Sequence, residues 1–238
     1  MNILITNDDG WGSKGILSLV GEMRKMGHVT VLAPDGARSG QSNAISVGKM
    51  VTLKQIEPDI YITNGTPSDC VKLALSTIYA DRKPDLVVSG INHGSNASIN
   101  VIYSGTMGAC FVAAEAGIPS IGFSLCDHRA DADFSFFTPH IVPLTEKFLK
   151  QGFPDGVCYN INAPVGEIKG VLFTRQCRGH WHKEWQPYTD PNGGTFYLLT
   201  GEYVNHEPKA QDTDEWALSH GFIAVTPTTI DMTHYGSL

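Results

Sequence analysis

Short apolar segments alternate with amphipathic segments along the first two thirds of the chain. MNILIT (1–6) and HVTVLAP (28–34) are apolar and contain β-branched residues, as buried strands do. Between them, GILSLVGEMRKMG places apolar side chains near helical spacing and ends at Gly27, where a helix readily stops. A strand, a helix and a second strand in succession predict a βαβ unit with parallel strands.

The alternation continues to about Pro164. Helices are predicted for DCVKLALSTIYA (69–80), TMGACFVAAEAG (106–117) and TPHIVPLTEKFLKQG (138–152), and strands for DLVVSGI, IPSIGFSL and VCYNINAP. This order is typical of a doubly wound α/β fold, in which helices flank a mostly parallel sheet. We therefore predict a Rossmann-like catalytic core formed by residues 1–164.

The remaining residues, 165–238, have a different pattern. GVLFTRQC, TFYLLTGEYV and GFIAVTPTTI are predicted as strands with no helix between them, and DPNGG (190–194) is the turn of a hairpin. Trp181, Trp185 and Trp216 all lie in this part of the chain. We favour a β-rich extension that packs on a partner subunit, and the alternative is a set of edge strands in the same domain.

Composition narrows the class of protein. The 17 Lys and Arg against 24 Asp and Glu give a net charge of −7, which argues against binding nucleic-acid polymers or anionic membranes. The five cysteines are widely spaced without a CxxC pair, so we expect mostly buried, reduced thiols in a cytoplasmic protein. No secretory signal or membrane-spanning apolar segment is evident.

Four polar loops occur where a parallel sheet places its ligands. NDDG (7–10), PDGARSGQS (34–42) and GINHGSN (90–96) follow predicted strands, and YSGT (103–106) precedes a helix. Ligands bind at the carboxyl ends of such strands. The oxygens of Asp, Ser and Asn suit Mg²⁺ or Mn²⁺, and a cation would make ionisation of two adjacent aspartates favourable. Backbone N–H groups at the start of a helix suit phosphate.

Each loop also has a purely structural interpretation. Adjacent aspartates after a strand and YSGT before a helix are ordinary helix caps. GINHGSN is a glycine-rich turn, and RSGQS has an ordinary loop composition. The coincidence of all four loops at one crevice favours a metal-dependent site that handles phosphate. A dinucleotide site is excluded at the first turn, because NDDGWGSKG lacks GxGxxG and its carboxylates repel pyrophosphate.

Five sequence blocks resemble one known family. ILITNDDG, VLAPDGARSGQS, NGTPSDCVKLAL, VVSGINHGSN and VIYSGTMGA look like the SurE family of survival proteins, which are metal-dependent 5′/3′-nucleotidases. The closing PTTIDMTHYG resembles the same family. A match of five blocks with matching spacing is more specific than any single motif.

The resemblance implies a set of site residues and an assembly. It implies one Mg²⁺ or Mn²⁺ per subunit, held by Asp8, Asp9, Ser39 and Asn92. It places phosphate contacts at Asn96, Ser104, Gly105 and Thr106. It also implies a homodimer that exchanges its C-terminal extension, or a homotetramer of such dimers. As a catalytic residue, either Asp8 or Asp9 orients or deprotonates the attacking water.

Two residues depart from the family pattern or stand outside it. Asn100 occupies a position where an acid is common in the family, which leaves any acid–base role there in doubt. His93 lies beside the expected ligand Asn92, and we do not assign it as a ligand. The NGTPSD loop (64–69) is interpreted as a helix N-terminus before any binding role.

We predict a hydrolase that releases phosphate from nucleoside monophosphates by attack of water. One alternative is a phosphatase that acts mainly on polyphosphate or another phosphate ester. A second alternative, from another class, is a non-enzymatic module that senses nucleotides or metal ions. We expect no partner among nucleic-acid polymers or membranes.

Overall fold

The computed structural model describes residues 1–237 of the chain. The strands that these residues form are β1 (Asn2–Thr6), β2 (His28–Pro34), β3 (Lys54–Glu57), β4 (Ile60–Thr63), β5 (Leu86–His93), β6 (Ser120–Leu125), β7 (Val157–Ala163), β8 (Gly170–Phe173), β9 (Gly179–His182), β10 (Trp185–Thr189), β11 (Thr195–Leu199), β12 (Glu202–Asn205) and β13 (Phe222–Thr229).

The helices flank the sheet and connect its strands. They are α1 (Lys14–Met23), α2 (Pro67–Ser76), α3 (Gly105–Glu115), α4 (Thr138–Gln151) and the short α5 (Asp214–Ser219). A 3₁₀ turn at Ser98–Ile102 leads into α3. Among residues 1–237, no helix combines the length and the apolar character that crossing a lipid bilayer requires.

The direction in which successive strands are added to the central sheet changes at β1. Its order is β3-β4-β2-β1-β5-β6-β7-β13-β8, and the strands from β4 to β7 run parallel. The chain proceeds from β1 to β2 on one side and returns to β5 on the other. A crevice opens at the carboxyl ends of the strands at such a switch point, and there β1 ends at Thr6 and β5 at His93.

The strands are apolar throughout because both faces of the sheet are covered. On one face, Ile3 and Ile5 of β1 lie in a buried cluster with residues of α1 and α4. On the other face, Leu4 lies in a second cluster with residues of α2 and α3. The alternation of side chains along β1 therefore anchors both helical layers.

The predicted fold class and the elements of the first 164 residues are confirmed. Helix α2 begins at Pro67, two residues before its predicted start, because Thr66 and Asp69 form a capping box. This confirms the structural interpretation of the NGTPSD loop. Strands β3 and β4 escaped prediction because they are short and β3 is largely exposed, which leaves no apolar run.

The prediction that no helix lies among the C-terminal strands is wrong. Helix α5 precedes β13, and it forms because Thr213 caps the N–H of Trp216 and because Asp214 and Glu215 occupy the first turn. The segment TFYLLTGEYV is two strands, β11 and β12, separated at Gly201, whose φ is +127°. The hairpin turn at DPNGG is confirmed between β10 and β11.

The segment after residue 164 contributes both to the central sheet and to two smaller sheets. Strand β13 pairs antiparallel with β7 and parallel with β8. Strands β9 and β12 form one two-stranded sheet, and β10 and β11 form another. The domain boundary at residue 164 and any role of the extension in assembly stay predictions.

Candidate active site

The polar loops meet in one cleft at the carboxyl ends of the parallel strands. The cleft has a volume of about 420 Å³. Of the predicted site residues, it is lined by Asp8, Ser39, Asn92, Asn96 and Ser104. Asp9, Gly105 and Thr106 do not line the cleft, but each contacts a lining residue. The switch point thus brings together residues from four separate segments of the chain.

Asp8 is a buried carboxylate that lines the cleft and has one side-chain hydrogen bond, from Thr106. The residue is only 5% exposed, and its Oδ1 accepts a hydrogen bond of 2.7 Å from the Thr106 hydroxyl. Burial raises the pKa of Asp8 to about 6; the Thr106 hydrogen bond opposes this rise and the neighbouring Asp9 adds to it. A cation beside Asp8 would favour its ionised form.

Asp9 is held from β5 through His93. The backbone N–H of His93 donates to Asp9 Oδ2 at 3.1 Å, and ring Nδ1 of His93 lies 2.9 Å from the same oxygen. Both contacts fall on one carboxylate oxygen, so Oδ1 of Asp9 is left for another partner. The sequence placed His93 beside a ligand but carried no sign of this pairing across the β1–β5 boundary.

The neutral oxygens of the predicted ligand set are positioned by backbone contacts. The backbone N–H of Arg38 donates to the backbone carbonyl of Asp8 at 2.6 Å. This bond positions Ser39, the residue after Arg38, which lines the cleft. The amide nitrogen of Asn92 donates to the Gly94 carbonyl at 2.8 Å. This bond occupies the amide nitrogen of Asn92 and leaves its oxygen available as an acceptor.

The N-terminus of α3 abuts Asp8. Ser104 caps the helix, because its Oγ accepts a 3.0 Å hydrogen bond from the Met107 N–H. The capping interpretation of YSGT is therefore correct, and it is compatible with anion binding. The backbone N–H groups of Gly105 and Thr106 have no acceptor within the helix. A Cβ on Gly105 would lie 3.0 Å from the Asp8 Cβ, so glycine permits this close approach.

Asn96 is fixed by a buried amide network. Its backbone N–H donates to Asn162 Oδ1 at 2.8 Å, and its Nδ2 donates to Ser124 Oγ at 2.9 Å. Asn160 Nδ2 donates to the Asn96 carbonyl, also at 2.8 Å. An amide nitrogen carries two hydrogens, so one donor of Asn96 remains for a ligand in the cleft that this residue lines.

The C-terminal segment supplies a second wall that no sequence motif indicated. Trp181, Tyr203 and Glu215 line the same cleft as Asp8. The side-chain oxygen of Asn100 accepts a 2.7 Å hydrogen bond from the Trp181 indole N–H. The cluster of tryptophans after residue 164 was the only sequence signal, and it did not say which one reaches the cleft.

The donor set fits a hard divalent cation. Among residues 1–237, no group of three or more His, Cys, Asp or Glu side chains is placed to hold a metal ion. Two carboxylates with a hydroxyl and an amide oxygen resemble the oxygen environment of Mg²⁺ and Mn²⁺, which commonly retain several waters. The buried, raised-pKa Asp8 is the observation that supports this fit.

The fold and the cleft define a doubly wound α/β protein with an oxygen-lined site beside a helix N-terminus. Comparison with known proteins gives the family. The family model for Survival protein SurE matches residues 3–183, and the chain belongs to this family.

This chain is similar over nearly its whole length to curated relatives and to a solved structure. The protein named 5′-nucleotidase SurE from Phocaeicola vulgatus is 49% identical, with 99% of this chain and 93% of the relative covered. The protein of the same name from Bacteroides fragilis is 47% identical, with 98% and 93% covered. The crystal structure of SurE protein from Aquifex aeolicus superimposes with a TM-score of 0.88 at 35% identity, covering 100% of this chain and 97% of that one.

Proposed function

We propose that this chain is a divalent-metal-dependent phosphomonoesterase that releases phosphate from nucleoside monophosphates as a 5′-nucleotidase, with 3′-nucleotides as a second candidate class of substrate. The observation that carries the proposal is the buried Asp8 carboxylate, which lies in one cleft with oxygen donors and directly against the N-terminus of α3. Relatives at 45–49% identity that are named 5′-nucleotidase SurE support it.

One cation per subunit, Mg²⁺ or Mn²⁺, would be held by Asp8, Asp9, Ser39 and Asn92. When bound, such a cation polarises the phosphoryl group and lowers the pKa of a water molecule. Thr106 occupies Oδ1 of Asp8 and His93 occupies Oδ2 of Asp9, so each carboxylate keeps one oxygen for the site. Either Asp8 or Asp9 orients the attacking water or accepts its proton.

The chain holds the phosphate by donors that are fixed before the substrate arrives. The backbone N–H groups of Gly105 and Thr106 and the remaining amide hydrogen of Asn96 donate to phosphate oxygens. Ser104 holds the first turn of α3 in place through its hydrogen bond to Met107. Donors that need no rearrangement stabilise the charge that develops on the phosphoryl oxygens during the reaction.

A substrate panel tests the proposal against its alternatives. Phosphate release is measured with Mn²⁺ for 5′- and 3′-nucleoside monophosphates, a short polyphosphate and a sugar phosphate. We expect the highest kcat/KM for nucleoside monophosphates. Preference for polyphosphate or the sugar phosphate would indicate the alternative phosphatase, and no release from any substrate would favour a nucleotide- or metal-sensing module.

Ser39→Ala is expected to weaken the site only mildly. A neutral hydroxyl contributes less to cation binding than a carboxylate does, and Ser39 lies on an exposed loop. We expect the Mn²⁺ concentration for half-maximal activity to rise, while the rate at saturating Mn²⁺ stays close to that of wild type. A loss of activity as large as that expected for removing the Asp8 charge would contradict this ranking.

His93→Phe is expected to raise the Mn²⁺ requirement without changing the rate at saturation. The substitution keeps the backbone donor to Asp9 and removes the ring donor at 2.9 Å. Loss of a partner that orients a metal ligand typically costs roughly 10- to 100-fold in metal affinity. Calorimetric titration with Mn²⁺ measures this directly, and unchanged affinity would show that the His93 ring does not orient Asp9.

We propose a homodimer, or a homotetramer of dimers, that uses the segment 165–238. The hairpin β10–β11 supports this, because every residue of its two strands is exposed and several carry large apolar side chains. The five free cysteines support a cytoplasmic location, where thiols stay reduced. The net charge of −7 supports small nucleotides rather than nucleic-acid polymers as partners.

A further inference from the structure

The proposed phosphate chemistry does not use the wall of the cleft that comes from the C-terminal segment. Trp181, Tyr203 and Glu215 line it together with Asn100, while Asp8, Asn92 and Ser104 line the phosphate end of the same cleft. A phosphate ester held against α3 would have its leaving group in the cleft that these side chains line. Their chemistry bears on which leaving group the cleft accepts.

Trp181 is an oriented aromatic surface. Its indole N–H donates to Asn100 Oδ1 at 2.7 Å, and its ring meets Tyr203 edge-on with centroids 5.9 Å apart. Tyr203 is itself held, since its hydroxyl lies 2.6 Å from Ser98 Oγ. Trp181 is half-buried, so part of the indole remains open to the cleft. A fixed and partly exposed indole is a surface on which another ring can stack.

Among residues 1–237, the Glu215 carboxylate is a hydrogen-bond acceptor that has no donor. No described residue in 1–237 donates a hydrogen bond to its carboxylate, and burial followed by the proximity of Asp214 raises the pKa of Glu215 to about 7. Asp214 differs, because its carboxylate accepts N–H groups from Ser98 at 2.8 Å and Cys177 at 2.9 Å. Asp214 therefore supports the fold, whereas Glu215 is available to a ligand with hydroxyl or N–H donors.

The geometry points to a nucleoside subsite in which the base stacks on Trp181, held by Asn100, and the ribose hydroxyls donate to Glu215. This inference rests on the proposed function and adds the substrate class that the site prefers. A carboxylate is a common acceptor for ribose hydroxyls in nucleotide sites. The subsite distinguishes ribonucleotides from deoxyribonucleotides and from phosphate esters without a base.

The test compares kcat/KM for AMP, 2′-deoxy-AMP and ribose 5-phosphate, which lacks the base. Stacking of a base on an aromatic side chain contributes about 1–3 kcal/mol, so we expect Trp181→Ala to lower kcat/KM for AMP by about tenfold or more, mainly through KM. In the same variant, kcat/KM for ribose 5-phosphate should change by less than about twofold, since this ester has no base to stack. Trp181→Phe keeps an aromatic face and should retain most of the activity on AMP.

Two further pairs of variants test the other contacts. Glu215→Leu, which removes the acceptor, should bring kcat/KM for AMP close to that for 2′-deoxy-AMP, while Glu167→Leu, the same change at an exposed site outside the cleft, should not alter their ratio. Asn100→Leu removes the acceptor of the Trp181 N–H. It should lower kcat/KM for AMP more than kcat/KM for ribose 5-phosphate. Asn100→Asp retains an acceptor for the Trp181 N–H, so its kcat/KM for AMP should stay close to that of wild type.

Specific outcomes overturn the subsite. An equal loss on AMP and ribose 5-phosphate in Trp181→Ala would show a structural role. An unchanged AMP to 2′-deoxy-AMP ratio in Glu215→Leu would remove Glu215 from ribose binding. If the wild-type protein hydrolyses none of the three esters, the proposed function fails instead. Calorimetric binding of adenosine to wild type and to Trp181→Ala then decides the subsite alone, and equal binding or no binding by wild type overturns it.

Discussion

Asp8→Asn is expected to reduce kcat/KM for phosphate release from AMP by roughly 10³-fold. The substitution keeps the shape of the side chain and its ability to accept the Thr106 hydrogen bond, but it removes the negative charge from the cleft floor. The cation would lose a carboxylate ligand, and the water would lose one of its two candidate bases. Undiminished Mn²⁺-dependent release by this variant would contradict the proposed ligand set.

The same substitution is expected to raise the thermal stability of the metal-free protein. The pKa of Asp8 is raised from 3.8 to about 6, mainly by burial, so the folded state holds this proton more tightly than the unfolded state does. Stability from Asp8 is therefore fully present below about pH 3.8 and is lost as the pH rises to about 6. Above pH 6, the ionised carboxylate destabilises the fold by about 3 kcal/mol at most.

Thermal melts in a chelator at two pH values measure this effect. Asp8→Asn should melt higher than wild type at pH 7.5, and the difference should shrink near pH 4. Asp81→Asn makes the same charge change at an exposed position and should show no such pH-dependent gain. A metal-free Asp8→Asn protein that is less stable than wild type at pH 7.5 would show that the carboxylate is not a source of strain there.

Removal of the exposed hairpin is expected to lower the oligomeric state. Large apolar side chains stand on both faces of the hairpin, with Tyr197 and Leu199 on one face and Phe196 and Leu198 on the other. A two-stranded ribbon alone is marginally stable in water, so this ribbon needs a covering surface. His182 pairs with Glu202 at its base, so residues 183–201 can be replaced by Asn-Gly, a two-residue turn.

Light scattering after size-exclusion chromatography measures the molar mass of both proteins. We expect the shortened chain to show a lower mass than wild type while its circular dichroism stays close to that of wild type. Asn192→Glu, a single charge at the exposed turn of the hairpin, is the control and should keep the wild-type mass. A wild-type monomer, or an unchanged mass after the replacement, would contradict an assembly role for the hairpin.

The core was predictable from the sequence because its elements produce strong local patterns. Strand β1 is covered on both faces, so it appears as an unbroken apolar run that ends at Thr6. The carboxyl ends of β1 and β5 are adjacent in any fold of this class, so the loops at Asp8 and Asn92 could be brought together before the structure was known. Both residues line the same cleft.

The C-terminal half of the cleft was not predictable, because its contacts join distant residues without a periodic pattern. The bond between Asn100 and Trp181 spans 81 residues and depends on how the β9–β12 sheet packs against the 3₁₀ turn. Helix α5 has only six residues, too few for helical periodicity to appear, so Glu215 gave no signal. The placement of β13 between β7 and β8 is likewise a choice among strand orders that local pattern does not decide.

The central claim is that the cleft around Asp8 hydrolyses nucleoside monophosphates with a divalent cation held by oxygen ligands. The most direct measurement is phosphate release from AMP by wild-type protein before chelation, after dialysis against EDTA, and after Mn²⁺ or Mg²⁺ is returned. We predict that release stops on chelation and recovers when the cation is restored. Release from AMP that continues unchanged in the chelator would contradict the claim.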